Sequence, residues 1–256
     1  MIREPLRKAR KLCRLLGDPA LRRGLRYGVG AAIELAPLLD GIQVASIVDV
    51  GANKGQFALL ATARFPEAPV VAFEPHSEAA AVFRRLFASQ RQVVLHEAAV
   101  SDREGRAELQ LSGRADCSSL LPIGDRMTAA VPGSGSVGTA AVTALCLDGL
   151  AELRDLPRPI LLKLDIQGGE LAALRGGRSL LDTVSYVLVE ASFVAFYDGQ
   201  PLIGDLVRWL HDAGFEPVAA CSPWTDGDGR CVQIDLLFCA EDRTGTAGEP
   251  PSTIAR

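Results

Sequence analysis

Apolar residues along this chain fall into short blocks separated by stretches with helical spacing. Ser46-Ile47-Val48-Asp49-Val50, Val70-Val71-Ala72-Phe73, Val93-Val94-Leu95, Ile160-Leu161-Leu162-Lys163-Leu164 and Tyr186-Val187-Leu188-Val189 are apolar, mostly β-branched runs. Runs of this length and composition read as strands buried on both faces, as in a parallel sheet. The spacing predicts a helix through Phe57, Leu60 and Ala61 that Pro66 and Pro69 end, and further helices over 77–89, 170–181 and 203–213, the last closed by Gly214. Two final strands, 216–220 and 232–238, flank the turn-rich stretch 223–229 and predict a terminal antiparallel hairpin. Strand and helix in alternation imply an α/β fold, a mostly parallel sheet with helices on both faces and a ligand cleft at the carboxyl ends of its strands.

Two regions depart from this rhythm. Residues 107–111 alternate like an exposed strand, and 112–139 are rich in Gly and Ser around Pro132-Gly133-Ser134-Gly135-Ser136. A loop of that length inside a compact domain is expected to be a lid or an acceptor-binding excursion. At the other end, residues 3–16 interleave Leu6, Leu12, Leu15 and Leu16 with basic residues and read as a helix stopped by Gly17-Asp18-Pro19. The chain is thus expected to comprise a basic helical extension (1–40), one domain (41–242) and a frayed tail (243–256).

Composition narrows the classes. The 256 residues are 48% apolar and 23% charged, enough for a sizeable core. A net charge of −4 argues against general nucleic-acid affinity. The charge is uneven: residues 1–26 hold nine Lys and Arg against Glu4 and Asp18, a net +7 that leaves −11 for the rest. Such an arm suits an anionic partner, and weak contact with a membrane surface is an expectation. The six cysteines lack a CxxC pair, and Cys146 and Cys239 lie in apolar runs, as core cysteines of a cytoplasmic protein would. Neither an uninterrupted apolar leader nor a run near 18 apolar residues is present.

Chemistry concentrates at the strand ends. The loop Asp49-Val50-Gly51-Ala52-Asn53-Lys54-Gly55 follows the first strand. Its Gly-x-Asn-x-Gly spacing keeps the turn of a nucleoside site but lacks the G-x-G-x-x-G of a pyrophosphate cradle, so a phosphate-free nucleoside fits it better. Glu74-Pro75 ends the second strand, 19 residues after Gly55, close to the spacing of an acid that grips ribose hydroxyls.

These blocks, together with Ala98-Ala99-Val100-Ser101-Asp102, Cys117-Ser118-Ser119-Leu120, Leu147-Asp148, Leu162-Lys163-Leu164-Asp165-Ile166-Gln167-Gly168-Gly169-Glu170, Leu188-Val189-Glu190 and Asp235-Leu236-Leu237-Phe238, resemble in order the FkbM family of S-adenosylmethionine-dependent methyltransferases over about residues 45–240. The resemblance implies a Rossmann-like seven-stranded methyltransferase fold. It further implies S-adenosylmethionine as methyl donor and a hydroxyl acceptor on a sugar, polyketide or lipid-linked glycan. It puts Asp49, Gly51, Asn53 and Glu74 on the cofactor positions and Ala99 and Val100 against the adenine. Ala52, Gly55 and Pro75 complete the expected cofactor set. One departure stands out: the family commonly has Asp-Val-Glu-Gly where this chain has Asp165-Ile166-Gln167-Gly168, so a neutral amide replaces a carboxylate.

Asp165 and Glu190 end adjacent strands and are the candidate catalytic pair. They fit two roles, base and orienter of an acceptor hydroxyl or ligands of a hard cation such as Mg²⁺. Lys163 shares Asp165's side of the strand and is expected to pair with a carboxylate. His76 and His96 lie near the cleft and His211 on the surface, while Phe193, Phe196 and Tyr197 are candidates for an acceptor wall and Trp209 for the core. Ser118 and Ser119 lie in the excursion expected to cover the acceptor. Transfer to nitrogen or to a macromolecule, and a non-catalytic S-adenosylmethionine-binding protein, are the competing readings.

Overall fold

The alternation of side chains along β1 (Ser46–Val50) sends Ile47 to one layer of the core and Val48 and Val50 to the other. The same division runs through β7 (Ile160–Leu164), where Leu161 joins the first layer and Leu162 and Leu164 the second. Both faces of the sheet are therefore covered, as the continuous apolar runs require. A computed structural model describes residues 12–240 of the chain.

Chain order continues with β2 (Val70–Phe73), β3 (Val93–His96), β4 (Ala99–Val100), β5 (Gly105–Ser112), β6 (Ser136–Leu145), β8 (Val184–Ser192), β9 (Glu216–Thr225) and β10 (Cys231–Cys239). The helices are α1 (12–17), α2 (Pro19–Arg22), α3 (Ala36–Leu39), α4 (Gln56–Arg64), α5 (Ser77–Phe87), α6 (Asp125–Ala130), α7 (Ala151–Arg154), α8 (Glu170–Gly176) and α9 (Ile203–Asp212). Seven strands form one sheet in the order β3-β2-β1-β7-β8-β10-β9. The first five pair in parallel, and β10 runs antiparallel to both neighbours, so the expected terminal hairpin is inserted with its second strand inward. Helices α4 and α5 bury residues on one face, α8 and α9 on the other.

The N-terminal stretch is packed. Leu15, Leu21, Val29, Leu38 and Leu39 are buried in the same layer as α4 and α5. Arg23 donates to Thr62 Oγ1 at 3.2 Å and Gln90 Oε1 at 2.8 Å, with its guanidinium over the Phe87 ring. Asp18 caps α2 by accepting from the Ala20 amide at 2.8 Å. Most of the basic helix expected over 3–16 lies outside the described residues.

The stretch read as a long loop contains structure. It holds α6 and the start of β6, which pairs with β5 and β4 in a second, three-stranded sheet. Strand β6 was not legible because it is mostly exposed, so no apolar alternation marks it. The excursion is anchored by a small core of its own, Cys117, Met127, Phe196, Tyr197 and Val232, with Phe196 stacked on Trp224. Cys117 is buried, whereas Cys146 and Cys239, expected in the core, are half-buried. Among the described residues no cysteine forms a disulfide. Among the described residues no helix is long and apolar enough to cross a membrane.

Candidate active site

A cavity of about 410 Å³ opens at the carboxyl ends of β1, β2, β7 and β8. Strand order reverses between β1 and β7, the place where sheets of this kind bind ligands. Strand register explains why the charged groups meet there. Val50 pairs with Phe73 and Leu164, and Leu164 with Val189. One residue further on, Glu74, Gly51, Asp165 and Glu190 therefore line up across the sheet. Asp235, paired directly with Glu190, extends the row.

Gly51 is the narrow point of this row. Its φ is +83°, and a Cβ would lie 1.8 Å from the Asp165 carbonyl oxygen. Glycine is thus required by the close approach of the β1 and β7 ends, more than by a ligand. The turn continues through Asn53, left-handed at φ +48°, a conformation that Asn tolerates better than most residues. Gly55 does not line the cavity, since a Cβ there would meet the Phe87 ring at 2.6 Å.

Glu74 is buried at the end of β2 and lines the cavity. Its carboxylate accepts from the Asn53 amide and the His76 amide, each at 2.7 Å. Burial pushes it up to about 7 despite those two bonds. Ala52, Pro75, Ala99 and Val100 also line this end, together with Asn53, Gln56 and His76. Asn53 Oδ1, Gln56 Oε1 and His76 Nδ1 are buried polar atoms without a hydrogen-bond partner among the described residues. Buried polar groups are seldom left so, and here they face a cavity sized for a nucleoside.

Asp49, expected to aim its carboxylate into the cleft, is wholly buried and does not line it. Its register partner on β7 is Lys163, so the two side chains share a face and their ions meet at 3.3 Å. Lys163 also lies 3.4 Å from Asp165 Oδ2 and donates to the Gly51 carbonyl at 2.9 Å. Burial opposes its charge, but Asp165 and Asp49 outweigh burial and hold its pKa above the ordinary lysine range. The lysine is thereby kept as a fixed internal cation beneath the acids.

Asp165 is half-buried, its side chain 37% exposed. Glu190 and Asp235 are half-buried. Burial, then the neighbouring Asp165 and Asp235, raise Glu190 well above the usual carboxylate range. Burial and Asp165 push Asp235 up to about 7. Asp235 was not singled out from sequence, although a charge inside the apolar run Val232–Phe238 is the signal that marks it. Glu34, from the N-terminal stretch, lines the same end.

Gln167 ties the acids together. Its Nε2 donates to Asp165 Oδ1 at 2.9 Å and to Glu190 Oε2 at 3.3 Å. Ser119, in the excursion, lines the cavity and donates to the Gln167 carbonyl at 2.8 Å, and Ser118 lines it too. The aromatic wall expected after β8 is not formed. Phe193 is exposed, and Phe196 and Tyr197 are buried under the excursion rather than facing the cavity. The reason is that Tyr197 Oη is turned inward to bond Gln167 Oε1 at 2.8 Å and the Cys117 carbonyl at 3.0 Å. His76 lies on the cavity wall, whereas His96 leaves it to pair with Glu152 at 2.9 Å and stack on Phe73, and His211 pairs with Glu216 on the surface. Trp209 is half-buried under Arg178. Among the described residues, no group of three or more His, Cys, Asp and Glu side chains is arranged to hold a metal ion.

The acid row makes a prediction about stability. A carboxyl whose folded pKa is raised from 3.8 to about 7 favours the protonated fold. Its stabilising contribution is complete below about pH 4 and is lost as pH rises through 7. Asp235→Asn is therefore expected to raise the Tm of the ligand-free protein by a few degrees at pH 8, with the gain shrinking towards pH 5. Melting curves at the two pH values check this, and an equal or negative change at pH 8 would contradict it.

A doubly wound sheet with an antiparallel seventh strand and a nucleoside-sized cavity at its switch point is the architecture of the Rossmann-like, S-adenosylmethionine-dependent methyltransferases. The family model described as "Methyltransferase FkbM domain" matches residues 49–217, and the chain belongs to that family. It is 28% identical over 193 residues to the 2-O-methyltransferase NoeI of Sinorhizobium fredii, covering 71% of this chain and 76% of the relative. It is 29% identical over 146 residues to the hexuronic acid methyltransferase AglP of Haloferax volcanii, covering 56% and 54%. Among solved structures, the precorrin-6y C5,15-methyltransferase of Geobacter metallireducens aligns with a TM-score of 0.43 at 16% identity, over 81% of this chain and 86% of the other.

Proposed function

We propose that the chain methylates a hydroxyl of a sugar, free or within a glycan or lipid-linked glycan, with Asp165 as the general base. The carrying observation is the cavity itself. A nucleoside-like end runs without a break into a row of carboxylates in which Asp165 stands at the end of β7 with its side chain 37% exposed. The names of the two relatives, a 2-O-methyltransferase and a hexuronic acid methyltransferase, support the sugar class.

The residues present suit the donor. Glu74 is placed to accept from ribose hydroxyls, Asn53 and Gln56 offer unpartnered oxygens, and Ala99 and Val100 give an apolar wall for the adenine. The donor when bound supplies an electrophilic methyl on a positively charged sulfur. A sugar hydroxyl is a weak nucleophile, so removing its proton as the bond forms raises the rate. Asp165 Oδ2 stands 3.4 Å from the Lys163 ammonium, which keeps the carboxylate oriented. Ser118, on the excursion, offers a hydroxyl to the acceptor, while the Ser119 hydroxyl is engaged by the Gln167 carbonyl. Positioning of the two reactants supplies much of the remainder.

The test is a panel of neutral, amino and uronic sugar glycosides incubated with S-adenosylmethionine. Release of S-adenosylhomocysteine with one added methyl on a sugar oxygen, read by mass spectrometry, is the expected result. Methyl gain on an amine in place of a hydroxyl, or no donor binding by calorimetry, would overturn the reading.

A further inference from the structure

The two candidate catalytic acids are bridged by an amide. Gln167 Nε2 lies 2.9 Å from Asp165 Oδ1 and 3.3 Å from Glu190 Oε2, and Gln233 Nε2 adds a second donor to that Glu190 oxygen at 2.6 Å. Behind the Gln167 amide, the single Tyr197 hydroxyl hydrogen is shared between Oε1 at 2.8 Å and the Cys117 carbonyl at 3.0 Å, with the NH₂ facing the acids. Its backbone is held in the left-handed region at φ +57°, unfavourable for a residue with a Cβ, while Ser119 bonds its carbonyl. Strain of this kind persists where the surroundings over-determine a position, and here it delivers one side chain between two acids.

Adjacent carboxylates on neighbouring strands repel, and three remedies exist: a shared proton, a bridging cation, or donors placed between them. A hard divalent cation requires oxygen ligands around it. In this chain the bridging position holds N–H hydrogens, which repel a cation and satisfy the carboxylate oxygens directly.

We propose that Gln167 is the positioning residue of the site, its amide standing where a divalent cation would otherwise link Asp165 to Glu190, so that methyl transfer by this chain proceeds without one. The role of Asp165 as base rests on the function proposed above; the exclusion of a cation from the bridge does not. A glutamate at 167 would place a third carboxyl between the other two and turn the bridge into an oxygen-lined cation site.

Manganese binding tests this without an acceptor. Full-length protein saturated with S-adenosylhomocysteine is titrated with Mn²⁺ and followed by electron paramagnetic resonance. Wild type is expected to bind no stoichiometric Mn²⁺, and Gln167→Glu to bind one equivalent. With an acceptor in hand, wild-type turnover is expected to be indifferent to chelator. Gln167→Glu is expected to lose at least about 10-fold in kcat and to recover part of it with Mg²⁺. Stoichiometric Mn²⁺ on wild type, loss of wild-type turnover on chelation, or a Gln167→Glu protein that folds yet gains no Mn²⁺ would each overturn the proposal. Should Gln167→Glu not fold, Gln167→Ala takes its place: the proposal requires a lower kcat, an unchanged KM for the donor and an upward shift of the acidic limb of the pH profile, and an unmoved profile would sink it. Failure of the methyltransferase reading would show separately, as absence of donor binding by calorimetry in wild type.

Discussion

Replacing Asp165 by asparagine is expected to lower kcat about 10²- to 10⁴-fold, the range that general-base catalysis contributes, with donor affinity little changed. The replacement has the same shape, so the Gln167 contact can be remade by an amide flip that offers Oδ1 to Nε2. What disappears is the proton acceptor. Among the acids of the row, Glu190 and Asp235 are raised by burial and by their neighbours and hold their protons to higher pH. A carboxyl that keeps its proton cannot take up another, so neither substitutes. Lys163 loses one of its three partners but keeps Asp49 at 3.3 Å and the Gly51 carbonyl at 2.9 Å, so the fold should survive. Single-turnover rates with a saturating sugar acceptor, alongside calorimetry with S-adenosylmethionine, separate the two effects. A turnover within a factor of about three of wild type would remove Asp165 from the base role, because even the low end of general-base effects exceeds it.

The second large effect concerns folding. Gly51→Ala would set a methyl 1.8 Å from the Asp165 carbonyl oxygen and 2.8 Å from its carbon, both backbone atoms that cannot rotate away. The Gly51 and Ala52 amides both donate to the Phe73 carbonyl, and the Asp165 amide to the Val50 carbonyl, so the strand ends on either side are tied. Relief would require breaking the β1–β7 register at the cavity floor. Left-handed backbone costs an alanine about 1–2 kcal/mol, and forcing a methyl into packed surroundings about 1–3 kcal/mol more. The expected loss of up to about 5 kcal/mol approaches the whole stability of a marginal domain. Gly28→Ala is the comparison: φ is +70°, yet nothing lies within 4 Å of the added Cβ. It should show the conformational cost alone, about 1–2 kcal/mol. Urea midpoints for the two variants decide it, and equal midpoints would mean that the β1 and β7 ends yield more readily than their hydrogen bonds suggest.

Much of the fold was legible because burial on both faces writes itself into sequence. The runs at β1, β2 and β7 were bounded to the residue, and the strand-end positions of Glu74 and Asp165 followed from them, whereas Glu190, expected to end its strand, lies within β8, which runs on to Ser192. Elements without that burial were not legible. Strand β6 is mostly exposed, and the helix expected over 170–181 ends at Gly176, where Gly177 and a separate short turn follow. The aromatic wall was misplaced because periodicity says which residues are apolar, not which of two apolar surroundings they enter. Phe196 and Tyr197 entered the small core beneath the excursion.

The linear order of residues by itself determined the βα rhythm, the glycine-bearing turn after the first strand and the presence of carboxylates on two adjacent strands. These are properties of local pattern, since a period of two or of 3.6 and a Gly at a turn need no distant partner. Only the tertiary structure decided which groups face one another. Register across β1 and β7 buried Asp49 against Lys163 and withdrew it from the cavity, and register across β8 and β10 brought Asp235 opposite Glu190. Gln167, which in sequence is a carboxylate missing from a motif, became in space the amide between two acids. Charges at close quarters interact through distance and burial, and both are set by strands far apart in the chain.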